Sequence, residues 1–362
     1  MKHIMRPTAA VPVVLGVAVL LALTAAPAAA GIDGIEVVGG IDLYARADYV
    51  TSADGASLLF WGLTDSAAGR PQYPAPTLIF NQGDEITVTL HNELASNVSL
   101  IFPGHDVAGA GSCTGEGLPP APGDADGRMT CEAAPGGTSS YTFTAEQAGT
   151  YLYHSGTNAA LQVEMGILGA IVVRPFGFDD QNPTAYGHPD TAFDREYLFV
   201  LSEMDSRIHQ AVEYGDDFEG TEFLGDYFSN YWFINGRTAP DTLSGPGVGW
   251  LPTQPYNTLP RMIPGETVLM RVVSAGRDPH PFHHHGNHAR TIARDGRLLE
   301  SAPGAGPDLA VEHFTIATVP GETVDAIFEW SGKGLNWDIY GGTDVDMPHT
   351  CNGKAVGEAQ DP

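Results

Sequence analysis

Pro264-Gly265-Glu266-Thr267-Val268-Leu269-Met270-Arg271-Val272-Val273 joins a turn signal to a strand signal, and the fold is read from its recurrence. A Pro-Gly pair presets a tight turn, and the β-branched and apolar run behind it suits an extended strand. Pro320-Gly321-Glu322-Thr323-Val324 repeats the device. In the first half, Gly83-Asp84 precedes Ile86-Thr87-Val88-Thr89-Leu90, and Pro135-Gly136-Gly137-Thr138 precedes Tyr141-Thr142-Phe143. The paired turns lie 53 residues apart from Gly83 to Gly136 and 56 apart from Gly265 to Gly321. Two turn-then-strand units at like spacing in each half imply two copies of one β-sandwich. Tyr151-Leu152-Tyr153, Ala170 to Val173 and Tyr197 to Val200 read as further strands, and no stretch sustains a helical period. The expected class is all-β.

Composition agrees. The 362 residues include 44 glycines and 27 prolines, which favour short strands and loops. Residues 1–30 read as a secretory signal peptide: Lys2 and Arg6 are basic, Val11 to Leu23 are apolar, and Ala28-Ala29-Ala30 forms a cleavage site. The expected order is a first domain over 31–176, a Pro/Gly/Asp-rich linker over 177–194, a second domain over 195–345 and a tail over 346–362. Seventeen basic against 44 acidic residues give a net charge of −27, which disfavours nucleic acid and anionic membrane as partners. No later segment is long and apolar enough to cross a membrane, so the expected location is periplasmic or extracellular. The acidity fits either a salty habitat or a docking face. Among three cysteines, Cys113 and Cys131 bracket a Gly/Pro/Asp-rich loop that a disulfide would pin, leaving Cys351 over.

The chemistry concentrates in His280-Pro281-Phe282-His283-His284-His285-Gly286-Asn287-His288, with five of the 13 histidines in nine positions. Along a strand, His283 and His285 share one face and His284 takes the other. Neutral imidazole suits copper, zinc, iron and nickel.

Gly149-Thr150-Tyr151-Leu152-Tyr153-His154-Ser155, with the strand from Met165 to Val173, resembles the second copper motif of the multicopper oxidases. His280 to Gly286 resembles their third, and Tyr231-Trp232-Phe233-Ile234-Asn235-Gly236 is also similar. The resemblance runs from about Ile41 to Tyr340 and implies two tandem cupredoxin-like Greek-key β-sandwiches. It also shows departures. The first motif's histidine positions hold Ile101 and Pro103, with His105 just beyond Gly104. The second motif's partner position is Gly156. Trp337-Asp338-Ile339-Tyr340-Gly341-Gly342-Thr343 stands where the fourth motif carries histidine, cysteine and histidine. Without that thiolate no blue-copper site of the usual kind forms, and laccase-type turnover is not expected.

What the resemblance implies is an exported, copper-binding oxidoreductase with a reduced mono- or dinuclear histidine site. His154, His283 and His285 are its ligands, meeting across the subunit boundary of a homotrimer. His105 is either a fourth imidazole or a loop histidine. His280, the electron-uptake ligand in the family, is expected to remain as a hydrogen-bonded remnant. The alternative is a non-catalytic cupredoxin module for copper binding, delivery or partner binding. Other candidates are weaker. Met347, His349 and Cys351 alternate in a loose tail, and Met165 reads as core. His91, His188, His209 and His313 lack ligand partners in sequence, and Glu164, Asp106 and Asp295 are carboxylates of no fixed role.

Overall fold

The computed structural model describes residues 31–108, 112–114, 130–215 and 226–330. The signal-peptide segment, the cysteine-free fourth motif and the Met347/His349/Cys351 group lie outside them. So do the side chain of Cys113 and most of the loop it opens.

The first half carries β1 (Ile35–Glu36), β2 (Gly40–Thr51), β3 (Ser57–Thr64), β4 (Leu78–Asn81), β5 (Glu85–Asn92), β6 (Ser112–Thr114), β7 (Thr138–Thr144), β8 (Gly149–His154) and β9 (Leu168–Arg174). They form two sheets, ordered β1-β4-β9-β8 and β3-β2-β5-β7-β6. The second half carries β10 (Arg195–Met204), β11 (Tyr231–Ile234), β12 (Thr267–Ser274), β13 (His280–His283), β14 (Ala289–Arg294), β15 (Arg297–Leu298), β16 (Val311–His313), β17 (Thr315–Thr318) and β18 (Thr323–Glu329). Its larger sheet runs β11-β10-β12-β18-β14-β15, with β16 also on β14, and faces the β13-β17 pair. Parallel neighbours such as β2/β5 and β10/β12 require crossovers between the sheets. This is an all-β, cupredoxin-like pair of sandwiches.

The repeated turns do what their sequence predicts. Gly83, Gly136, Gly265 and Gly321 all have φ between 73° and 90°, a region that glycine enters without steric cost. Each delivers the chain into a central strand, and β5 pairs antiparallel with β7 as β12 does with β18.

Two elements escape the sequence reading. Helix α1 (Ala159–Gln162) follows β8, and helix α2 (Ser206–Tyr214) follows β10. Asp205 caps α2 by accepting from the Arg207 N–H, and Gly215 ends it in the left-handed region at φ 74°.

The halves are joined by both apolar and charged contacts. Phe60, Tyr73, Leu152 and Leu168 pack with Met204, Phe233 and Val273 in one buried cluster. Beside it Arg271, fully buried, pairs with Glu196 at 3.0 Å and Asp325 at 3.4 Å, and it donates to Thr150 of β8 at 2.9 Å. Thr150 in turn donates to Asp325 at 2.6 Å. Burial opposes the charge on Arg271, but the two carboxylates outweigh it and raise its pKa. Deleting one partner of such a network leaves a buried charge uncompensated, at a cost of about 3–5 kcal/mol.

Candidate metal site

The second sandwich presents the histidines. β13 pairs antiparallel with β17, setting His283 opposite Thr315. His283 and His285 are exposed, with ring centroids 4.8 Å apart. His283 Nδ1 lies 2.9 Å from Thr315 Oγ1, which leaves Nε2 as the free ring nitrogen. His284 turns inward, as the two-residue period requires. Its ring meets the edge of Phe328 at 5.3 Å, both nitrogens lack partners, and burial lowers its pKa. Neighbouring Phe314 is exposed although His283 and His288 flank it, at 5.9 and 5.5 Å.

His280, at the start of β13, does not join the pair. Its Nε2 meets the Glu203 carboxylate at 2.7 Å.

In the first sandwich, His154 ends β8, half-buried, with its backbone paired to Ile101. Nδ1 donates to the Ser155 carbonyl at 2.9 Å. A carbonyl can only accept, so the neutral ring keeps its lone pair on Nε2. Burial lowers the His154 pKa, outweighing that hydrogen bond, and favours the neutral form a metal needs.

The missing partners of His154 are replaced by packing. A Cβ built at Gly156 would lie 2.8 Å from Ile101 Cγ2, 2.9 Å from Thr130 Cγ2 and 3.0 Å from Ser99 Oγ. Ile101, itself standing at a lost histidine position, fills the space a side chain at 156 would need.

Of the two expectations for His105, its packing in a bend after Phe102 fits the loop histidine. It lies between Phe143 and Tyr151, at centroid distances of 4.8 and 4.6 Å, with Nε2 buried and without a hydrogen-bond partner. Burial alone pulls its pKa down to about 4. Both rings around it belong to the first core cluster, whereas Leu152 packs in the cluster between the sandwiches. Strand parity places His154 on the Leu152 side of β8. His105 is therefore a core residue on the opposite side of that strand.

Among the described residues of one chain, no group of three or more His, Cys, Asp or Glu side chains is arranged to hold a metal ion. His154 and the His283/His285 pair therefore do not make a complete site within one chain. Of the other candidates, Met165 is fully buried, His91 pairs with Asp42 at 2.8 Å, and His188 caps a 3-10 turn. Buried Glu164 accepts from the Asp205 N–H at 2.6 Å, and Asp295 accepts from the Thr323 N–H at 2.9 Å. His209 lies buried on α2, 3.5 Å from Glu164.

Comparison with known proteins agrees with this architecture. Residues 67–177 match the family model described as multicopper oxidase. Laccase-3 of Botryotinia fuckeliana is 40% identical over 100 residues, covering 28% of this chain and 20% of that protein. The multicopper oxidase VdtB of Byssochlamys spectabilis is 24% identical over 204 residues, 54% of this chain and 27% of that protein. Among solved structures, the multicopper oxidase mgLAC superposes with a TM-score of 0.58 at 20% identity, over 82% of this chain and 76% of that one. The blue copper oxidase from Nitrosomonas europaea gives 0.56 at 21%, over 81% and 75%. The chain is similar to multicopper oxidases over these segments and spans about a quarter or less of the length of these two curated relatives. The structural likenesses speak for the fold.

Proposed function

We propose that this chain is an exported copper-binding oxidoreductase with a reduced site, built from His154 of one subunit and His283 and His285 of the next. The observation that carries the reading is the exposed His283/His285 pair, one imidazole at the end of a short strand and one in the bend that follows, 4.8 Å apart, with Nε2 of His283 left free. His154 supplies a third, with its lone pair on Nε2. Three neutral imidazoles fit a single copper, or one member of a coupled pair, with water completing the shell. They do not fit a three-copper cluster, because Ile101 and Thr130 fill the space beside Gly156. Bound copper would supply one-electron exchange. The chain's own residues orient two of the imidazoles, His154 through the Ser155 carbonyl and His283 through Thr315.

A homotrimer would bring the two half-sites together, and exposed Phe314, which lies against His283 and His288, supports an interface there. The signal-like residues 1–30 support export to the periplasm or the extracellular space. A Cys113–Cys131 disulfide would pin the long loop: Cys131 is buried and disulfide-bonded, and the Cys113 backbone pairs with Ser139 of β7.

Co-expression tests the shared site. Chains with His154→Ala and chains with His283→Ala/His285→Ala should each lose copper as homo-oligomers, and mixed oligomers should regain a fraction of the sites. Mixed oligomers without copper would overturn the shared site.

A second reading, passive copper binding or delivery, draws on one observation. Glu203 engages His280, the position at which the family takes up electrons. Tight copper binding without any oxidation of phenolic or metal-ion donors would favour it.

A further inference from the structure

Glu203, one residue from the end of β10, organises the approach to the histidine strand. Its side chain is fully enclosed. It accepts from the Asp278 N–H at 2.8 Å, from the Arg277 N–H, and from His280 Nε2–H at 2.7 Å. The Tyr227 hydroxyl lies 3.5 Å away, and the Arg277 guanidinium covers the Tyr227 ring at 4.1 Å. Burial raises the carboxyl pKa, but the donors from His280, Arg277 and Asp278 outweigh it and leave the pKa below its ordinary value. The acceptor is therefore a carboxylate, and His280 is the donor.

The loop from Gly276 to His280 closes around this one group. A Cβ at Gly276 would fall 2.0 Å from Glu203 Oε2, so any residue larger than glycine would displace the carboxylate. β13 begins where the loop ends. It has four residues and, among the described residues, pairs only with β17. So short a two-stranded ladder holds its register weakly, and the loop geometry must help to set where His283 and His285 stand.

We propose that Glu203 is the positioning residue of the candidate copper site: its carboxylate, in place of a metal ion, anchors His280 and so fixes the strand that presents His283 and His285. His280 is then a structural donor and not a copper ligand. The inference deepens the copper reading and rests on it for what the fixed strand presents. The clamp itself stands on the hydrogen bonds alone.

Glu203→Gln keeps size and removes the charge, and His280→Gln removes the donor. Two readouts decide. In metal-free full-length protein, hydrogen exchange at the amides of Phe282 and His284 should accelerate at least tenfold in either variant, with amides of β5 and β7 unchanged as a folding control. Competition titration with Cu(II) should show a 10- to 100-fold loss of affinity in each, the usual effect of removing a group that orients a ligand. Copper per chain at saturation should match wild type, and the double variant should be no worse than either single one. Unchanged exchange would overturn the clamp, and loss of copper stoichiometry in His280→Gln would show that His280 is a ligand after all. If wild type bound no copper, the copper reading would fail, while the exchange experiment would still decide whether Glu203 holds the strand.

Discussion

The surroundings of His154 and of the His283/His285 pair differ in packing. Around His154 the space for further ligands is closed: Ile101, Thr130 and Ser99 crowd the position of Gly156, and His105 is packed into the core beyond Tyr151. Around His283 and His285 the imidazoles are exposed, and exposed Phe314 lies against His283. Hydrocarbon fills the space beside Gly156, since a void in a packed strand would be costly. The exposed imidazoles of the second sandwich need no such filling.

The largest effect should come from forcing the closed half open. Gly156→His drives a side chain into Ile101 and Thr130 and should destabilise by roughly 3 kcal/mol or more. Adding Ile101→Ala should recover part of that loss. Chemical denaturation of the three proteins checks this, and an undiminished midpoint for Gly156→His would break the contrast.

The acid response comes next. His105 titrates at 6.5 when exposed and at about 4 in the folded chain. A depressed histidine pKa leaves stability complete above pH 6.5, and stability falls as the pH drops toward 4, because the unfolded chain binds the proton first. Over that window the loss is about 3 kcal/mol. His154, shifted the same way, adds to it. His105→Phe should flatten the profile measured by urea denaturation at several pH values, and an unchanged profile would place the titration elsewhere.

The smallest effect belongs to the open half. His283→Ala/His285→Ala removes exposed side chains and should change metal-free stability by no more than about 0.5 kcal/mol. A larger change would mean that the pair carries packing and is not poised for a ligand.

The sequence makes the scaffold legible because its cues are local. Pro264-Gly265 and Pro320-Gly321 announce turns, and the runs behind them are β12 and β18. The exposed pair was also legible, although the strand ends at His283 and the alternation that leaves His284 less exposed runs on into the bend beyond it. What stayed hidden depends on distant partners. Ile101 meets Gly156, 55 residues on, and Glu203 meets His280 across 77 residues, with no local pattern to announce either. The role of His105 was left open between two readings because position along the chain does not say which side of β8 a neighbouring loop covers. Helix α2 was missed although Asp205 and Gly215 mark its ends, for its nine residues are too few to establish a period.

The most direct test of the central claim is copper content per chain, with electron paramagnetic resonance on the same sample. The protein should be purified from copper-supplemented cells and compared with His283→Ala/His285→Ala. The account predicts about one copper per chain, or slightly more, with nitrogen hyperfine structure, no blue-copper signal, and loss of both metal and signal in the variant. A folded wild-type protein that takes up no copper would contradict it.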